Sequence, residues 1–380
     1  MNKWLYLNML HLANDGFKIG LITLLPFLAH ELHLNFTLVG LLGASSNIVQ
    51  IFIAFPAALL ATKIGGLKTL TIALFFYLLG YAITSFSPHF IPLLISFLIA
   101  GIGFAIFHPI AFALISRWAD PSKRGRIIGN FTAIGDIGTA AIPAFVPYLV
   151  TTYGWRFTTL LYSVIIFLLG VLAIIFRPTD EKTIEKKGKQ PQFRHLLKQK
   201  AFITAHIAVI IDTFASSPLI IFLPFLLLKH GFSGVTLGIA IAVYFLGSLI
   251  GKSLLGTLTD SMSGYKIFIF GEICMAIAIL LLIFTYSFAG VLIIVGCLGA
   301  LTKGTGPVGL TMVSDAIESH GAFEKAFGFN SVVSAIALSL APILLGHISD
   351  IQGISAAFLA MAFFALLATV PALVFGKSLE

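Results

Sequence analysis

Apolar residues in this chain run in long blocks, separated by short clusters of glycine, proline and charge. A block of about 20 apolar residues, coiled as a helix, spans a bilayer's hydrocarbon core. Marking the blocks and their breaks predicts twelve helices. Six lie near 5–30, 36–61, 68–87, 90–116, 125–151 and 155–176, and six near 200–229, 234–258, 265–285, 289–315, 323–349 and 353–376. No segment alternates with the period of two that barrel strands require, and helices satisfy their own backbone groups in lipid. One longer polar stretch separates six helices from six. The expected organisation is therefore an N-terminal six-helix bundle over 1–176, a linker over 177–199 and a C-terminal six-helix bundle over 200–380.

Composition removes the soluble alternative. Of 380 residues, 58% are hydrophobic and 10% charged, with 36 phenylalanines and a mean hydropathy of +1.04. A soluble domain is about 45–50% apolar and about 25% charged. The fold class is therefore all-α integral membrane, and a soluble enzyme is excluded. Met1-Asn2-Lys3 leads into an apolar stretch too long for a signal-peptide core, so the first helix is expected to be retained. Cys274 and Cys297 give neither a disulfide framework nor metal-ligand spacing.

The net charge of +8 is a topological signal. With the N-terminus inside, 18 of the 23 lysines and arginines fall in cytoplasmic loops, ends or the central linker, and only Arg156 and Lys229 fall outside. Both termini are thus expected in the cytoplasm, and the basic excess says nothing of nucleic acid. The linker's basic residues either obey this rule as a solvated segment or also meet anionic headgroups.

The two halves repeat. Pro26 and Pro224, Pro109 and Pro307, Gly101 and Gly299, and Asn14 and Asp212 are each 198 apart, while Gly129 and Gly328, Pro143 and Pro342, and Gly154 and Gly353 are 199 apart. Six is even, so duplicated six-helix units share one orientation. In this the chain resembles the major facilitator superfamily, twelve transmembrane helices as two parallel six-helix repeats. Lys123-Arg124-Gly125-Arg126 with Tyr153-Gly154-Trp155-Arg156-Phe157 is similar to that family's pattern around the fifth helix. Gly256-Thr-Leu-Thr-Asp260 with Gly264 and Lys266 is similar to its acidic–basic gate, which implies gating roles for Asp260, Lys266 and Arg124. The first-half equivalent carries Thr62 where an acid is expected. His11-Leu-Ala-Asn14-Asp15 and Gly101-Ile-Gly103-Phe-Ala-Ile-Phe107-His108-Pro109 look like the fosmidomycin-resistance branch of bacterial exporters, although Ile110 stands where that branch has an acid. The resemblance implies a bacterial inner (plasma) membrane location and efflux of a small compound.

Charge inside a span costs about 2.5–3.5 kcal/mol on insertion scales and marks a partner or a pathway. Asp15, Lys18, Asp136, Asp212, Lys252, Glu272 and Lys303 are such residues. His11, Asp15 and Lys18 share one helical face at i, i+4 and i+7. Read functionally, Asp15 carries a proton, with Asp136 or Asp212, while His11, Asn14, Lys18, His108, Lys303 and Asn47 meet substrate. Read structurally, Asp15 and Lys18 neutralise one another and His108 satisfies a carbonyl freed by Pro109. Lys252 and Glu272 are expected near the cytoplasmic ends as structural groups, and His206 is not expected on the face of Asp212. In the family's fold the first, fourth, seventh and tenth helices line a cavity, which implies one space for Asp15, His108, Asp212 and Lys303.

Gly247-Ser-Leu-Ile-Gly251-Lys252-Ser253 imitates a phosphate-binding loop but is one residue short and lies within a span. With no nucleotide motif, an ATP-driven pump is not expected. The expectation is a proton-coupled secondary transporter and not an enzyme. It would need no cofactor and no metal, act as a monomer, and have protons, lipids and a small molecule as partners. Three intramembrane lysines favour an anionic substrate. Efflux by antiport is the first reading, and proton-coupled import of an anionic metabolite or carboxylate metal chelate is the alternative.

Overall fold

The computed structural model describes residues 2–118, 124–179, 198–259, 261–316 and 323–379. Every regular element among them is helical: α1 (Lys3–Glu31), α2 (Phe36–Ile64), α3 (Gly66–Phe86), α4 (Phe90–Trp118), α5 (Arg124–Ala144), α6 (Val146–Tyr153), α7 (Trp155–Ile175), α8 (Lys200–Ser216), α9 (Leu219–Lys229), α10 (Gly234–Leu258), α11 (Gly264–Phe284), α12 (Phe288–Asp315), α13 (Phe323–Gln352) and α14 (Ile354–Leu379). Fourteen helices form twelve spans long and apolar enough to cross a membrane, because α5–α6 and α8–α9 are each one span interrupted near a proline. The breaks fall at Phe145, just before Pro147, and at Pro218, where a missing N–H ends the hydrogen-bond ladder. Helix starts are set by side chains: Asn2 Oδ1 accepts from Trp4 N at 2.9 Å, and Asn35 Oδ1 from Leu38 N at 2.9 Å.

Two compact units emerge, one of Met1–Lys186 with Phe232–Ala242 and one of Lys187–Gly231 with Val243–Glu380. In the first, α1 packs on α5, α2 and α7 flank α3–α4, and tyrosines tie the layers. Tyr81 Oη donates to the Phe17 carbonyl at 2.7 Å, and Tyr162 Oη to that of Ile142 at 2.8 Å. In the second, α14 packs on α8 and α11, and α11 on α12. Its core gathers Phe202, Phe268, Met312 and Phe375. Large apolar side chains are also displayed outward, Phe55 at 74% and Phe284 at 74% exposure, which is stable only where the solvent is lipid.

The repeat has a physical basis. Gly154 and Gly353 both follow a helix with positive φ, +82° and +85°, a conformation that favours glycine. Gly101 and Gly299 both sit where one helix backbone touches another, at Ser46 and at Tyr244, themselves 198 apart. Without a hydrophobic force between helices in lipid, such close approach and buried hydrogen bonds hold the bundle.

Candidate functional site

The densest polar cluster in the first unit lies near the middle of the 29-residue α1. His11 is 2% exposed, its ring stacked on Phe131 (centroids 3.9 Å apart) and facing Phe107 (5.4 Å). Helix α5 leaves room for it with glycine. A methyl group on Gly135 would strike the imidazole, and one on Gly138 would strike the Leu12 carbonyl. Closeness to α5 fixes the ring's chemistry. His11 Nδ1 lies 2.8 Å from the Phe131 carbonyl, which only accepts, so Nδ1 carries the hydrogen. That leaves Nε2 facing Asp15 Oδ2 at 3.1 Å. A bare imidazole nitrogen and a bare carboxylate would present two lone pairs to each other, so a cation must sit between them. A single proton, on either partner, meets that need.

Asp15 is held from other sides too. Asn14 Nδ2 donates to its Oδ1 at 2.7 Å, and His108 Nε2 on α4 lies 3.6 Å from the same oxygen. Asp15 keeps 17% and His108 27% of its side chain exposed, so the cluster is open on one side. His108 Nδ1 and Asn14 Oδ1 are buried without a hydrogen-bond partner. His108 therefore turns toward Asp15 and not toward a carbonyl freed by Pro109.

Lys18 lies one turn further along α1. Its Nζ is 3.4 Å from the centre of the Phe104 ring, a cation–π contact. Beside it is a narrow cavity of about 20 Å³, room for about one water. Tyr77, Ser45, Ser46 and Gly101 line it with Lys18, and the Tyr77 hydroxyl is buried without a hydrogen-bond partner. Asn47 is half-buried on α2 but is not among the lining residues, whereas its neighbours Ser45 and Ser46 are. Asp136 is 9% exposed, next to the glycine that accommodates His11.

His11, Asp15 and His108 each offer a ligand atom, all within 4.8 Å, the one such group among the described residues that could hold a metal ion. Lys18 acts electrostatically on His108 and would repel a dication more than a proton. The donor set therefore suits a proton better.

Asp212 and Lys303 belong to the second unit, where Thr305 Oγ1 donates to Asp212 Oδ1 at 3.4 Å and Lys303 acts electrostatically on the same carboxyl. Glu272 joins them. Instead of reaching a cytoplasmic end it is 0% exposed near the middle of the 21-residue α11. His206 is engaged elsewhere, Nδ1 to the Phe202 carbonyl at 2.8 Å. Asp260 and the side chain of Arg124 lie outside the described residues. Lys266 rests near the Tyr265 ring, 5.7 Å from its centre. Tyr77 and Phe131 have no place in the sequence reading, whereas Glu272 is read there as a structural group. Tyr77 and Tyr81 share a helical face, a visible signal, whereas the Phe131 carbonyl leaves none.

Comparison with known proteins places the chain in context. The family model described as Major Facilitator Superfamily matches residues 7–211 and again 205–378. A "Probable nitrate transporter NarT" of Staphylococcus haemolyticus is 24% identical over 357 residues, 91% of this chain and 89% of that protein. The "Nitrite extrusion protein" of Bacillus subtilis is 22% identical over 67% of this chain, and the match spans only 65% of its own length. Among solved structures, a bacterial homologue of the human lysosomal transporter Spinster, in its inward-facing and unoccupied conformation, superposes with a TM-score of 0.78. It is 18% identical and covers 99% of this chain and 97% of that one.

Proposed function

Because this chain belongs to the Major Facilitator Superfamily, and is thus a multi-pass membrane transporter and not an enzyme, we propose that it couples proton movement through Asp15 to transport of a small anion. The observation that carries this is the His11–Asp15 contact of 3.1 Å inside a span, with His11 Nδ1 already committed to Phe131. A proton held there neutralises the carboxylate, and its release leaves a charge that only an open, hydrated side can bear. Alternating exposure of the cluster makes those two states the loaded and unloaded forms of one carrier. Lys18, on the same face and beside a cavity of about 20 Å³, supplies the attraction for a compact anion. The relatives named for nitrate and nitrite support that substrate class.

Efflux by proton antiport is the first reading of direction. It rests on the exporter-like His11–Asp15 and Gly101–Pro109 motifs and on the relative named for extrusion. Import by symport is the second. An inside-negative potential already drives an anion outward by about 2.3 kcal/mol per 100 mV, so uptake is the direction that needs protons. In either direction we take the protein to sit in a bacterial inner membrane with both termini cytoplasmic, on the strength of its lysine and arginine distribution. Asp260, Lys266 and Arg124 complete the proposal as cytoplasmic gate residues.

The test is purified protein in liposomes under imposed pH gradients, with nitrate, nitrite and small carboxylates as solutes and Asp15→Asn as comparison. Antiport gives uptake into acid-inside vesicles, and symport gives uptake into alkaline-inside vesicles. Uptake indifferent to both gradients, or a gradient response that survives in Asp15→Asn, refutes the proposal.

A further inference from the structure

A buried tyrosine ordinarily bonds its hydroxyl, because a phenol O–H taken out of water without a partner costs free energy. Five tyrosines are buried among the described residues. Tyr6 bonds Thr71 Oγ1 at 2.7 Å and the Ala173 carbonyl at 3.1 Å, and Tyr244 bonds Thr302 Oγ1 at 2.7 Å. Tyr81 donates to the Phe17 carbonyl and Tyr162 to that of Ile142. Tyr77, 1% exposed, stands apart. Its hydroxyl has no hydrogen-bond partner.

The scaffold does not require that hydroxyl. The equivalent position of the second half, 198 residues on, is Met275, 0% exposed on α11. The ring of Tyr77 packs closely on α4, where Gly103 makes room: a methyl group there would come within 2.9 Å of it. Tyr77 then walls the cavity of about 20 Å³ beside Lys18, room for about one water. Another hydroxyl on that wall is already spent, since Ser45 Oγ donates to the Leu42 carbonyl at 2.7 Å. A donor held without an acceptor, in a wall shared with a cation, suits a ligand that brings only acceptors.

We propose that Tyr77 is a specificity-determining residue, donating its hydroxyl hydrogen to one oxygen of a planar oxyanion that Lys18 attracts. The inference rests on the small-anion reading above and narrows it to a class, that of nitrate, nitrite and small carboxylates. The cavity takes a single water-sized oxygen, and the rest of the anion stays at its open side. A halide has no such part to insert. Iodide has to enter whole, and it is larger than water. Nitrate and iodide carry the same charge and are both weakly hydrated, so the charge of Lys18 alone hardly separates them. The hydroxyl and the size of the cavity do.

Calorimetric titration of nitrate, nitrite, acetate and iodide into the purified protein tests it. The wild type should bind an oxyanion more tightly than iodide. Tyr77→Phe should weaken that oxyanion by about tenfold, the worth of one hydrogen bond to a charged group, and leave iodide unchanged. Lys18→Gln should weaken both. Without anion, Tyr77→Phe should resist denaturant at least as well as the wild type, because it removes an unpaired hydroxyl, whereas Tyr81→Phe should unfold earlier. Unchanged oxyanion affinity in Tyr77→Phe overturns the proposal and leaves the hydroxyl a partner for water only. So does iodide bound as tightly as every oxyanion. A Tyr77→Phe protein that fails to fold, or loses as much stability as Tyr81→Phe, overturns it too, by revealing a structural partner. Binding at equilibrium needs no pH gradient, so failure of proton coupling through Asp15 is read separately in vesicles. A wild type that binds none of the four anions refutes the small-anion reading itself, and this inference falls with it.

Discussion

Gly135 offers a sharp test of how the His11 site is built. A Cβ placed on it would lie 2.6 Å from His11 Nε2, where ordinary contact begins at 3.4 Å, so Gly135→Ala forces the ring back by roughly 0.8 Å. That stretches the 2.8 Å bond from Nδ1 to the Phe131 carbonyl to roughly 3.6 Å, beyond hydrogen-bonding distance. The lost bond and the overpacking cost roughly 1–3 kcal/mol each, against about 1 kcal/mol gained from placing alanine in a helix. A net loss of about 1 kcal/mol follows at the low end of those ranges. In a His11→Ala background the methyl has space, and Gly135→Ala should stabilise by about 0.5–1 kcal/mol. The double-mutant cycle should therefore show a coupling of about 2 kcal/mol. Reversible denaturant unfolding in detergent reads the four corners, and pH-gradient uptake reads the functional loss in Gly135→Ala. Equal effects of Gly135→Ala in both backgrounds would refute the placement of His11 against α5 and the tautomer derived from it.

Three further outcomes follow from the same geometry. Lys18→Gln removes the cation over Phe104 and should raise the half-saturating anion concentration by about tenfold, about 1.4 kcal/mol; uncharged affinity in the wild-type range would exclude Lys18 as the anion contact. A strong chelator should leave gradient-driven uptake unchanged, since a proton suits the His11–Asp15–His108 cluster, and loss of uptake restored by zinc would show that a metal takes that place. His108→Gln should weaken proton coupling less than Asp15→Asn, because its 3.6 Å contact is the longer of the two histidine contacts; equal loss of the gradient response would make His108 an equal partner.

The helices were legible because the bilayer imposes a length on them, and the twelve predicted blocks agree with the twelve spans within a few residues. What the sequence hid were two breaks inside spans and every contact that depends on backbone. His11 and Asp15 could be placed on one face from their spacing, but the tautomer that turns Nε2 toward Asp15 follows from the Phe131 carbonyl, which has no residue signature. Asn47 was picked for its polarity, yet helix rotation gives the Lys18 cavity to Ser45 and Ser46. Glu272 was read as a group toward the cytoplasmic end, yet it is 0% exposed near the middle of α11, because burial depends on which neighbours cover that face.

Duplication explains why the two halves can be read together in scaffold but not in chemistry. Gly154 and Gly353 kept the same backbone angle, and Gly101 and Gly299 kept the same close approach, because any side chain there collides or strains. Asn14 and Asp212 occupy equivalent positions, and there the copies diverged. In the first unit the amide of Asn14 donates to a neighbouring acid that also faces a histidine. In the second, the acid stands at the Asn14 position itself, and it accepts from Thr305 Oγ1 on α12 at 3.4 Å.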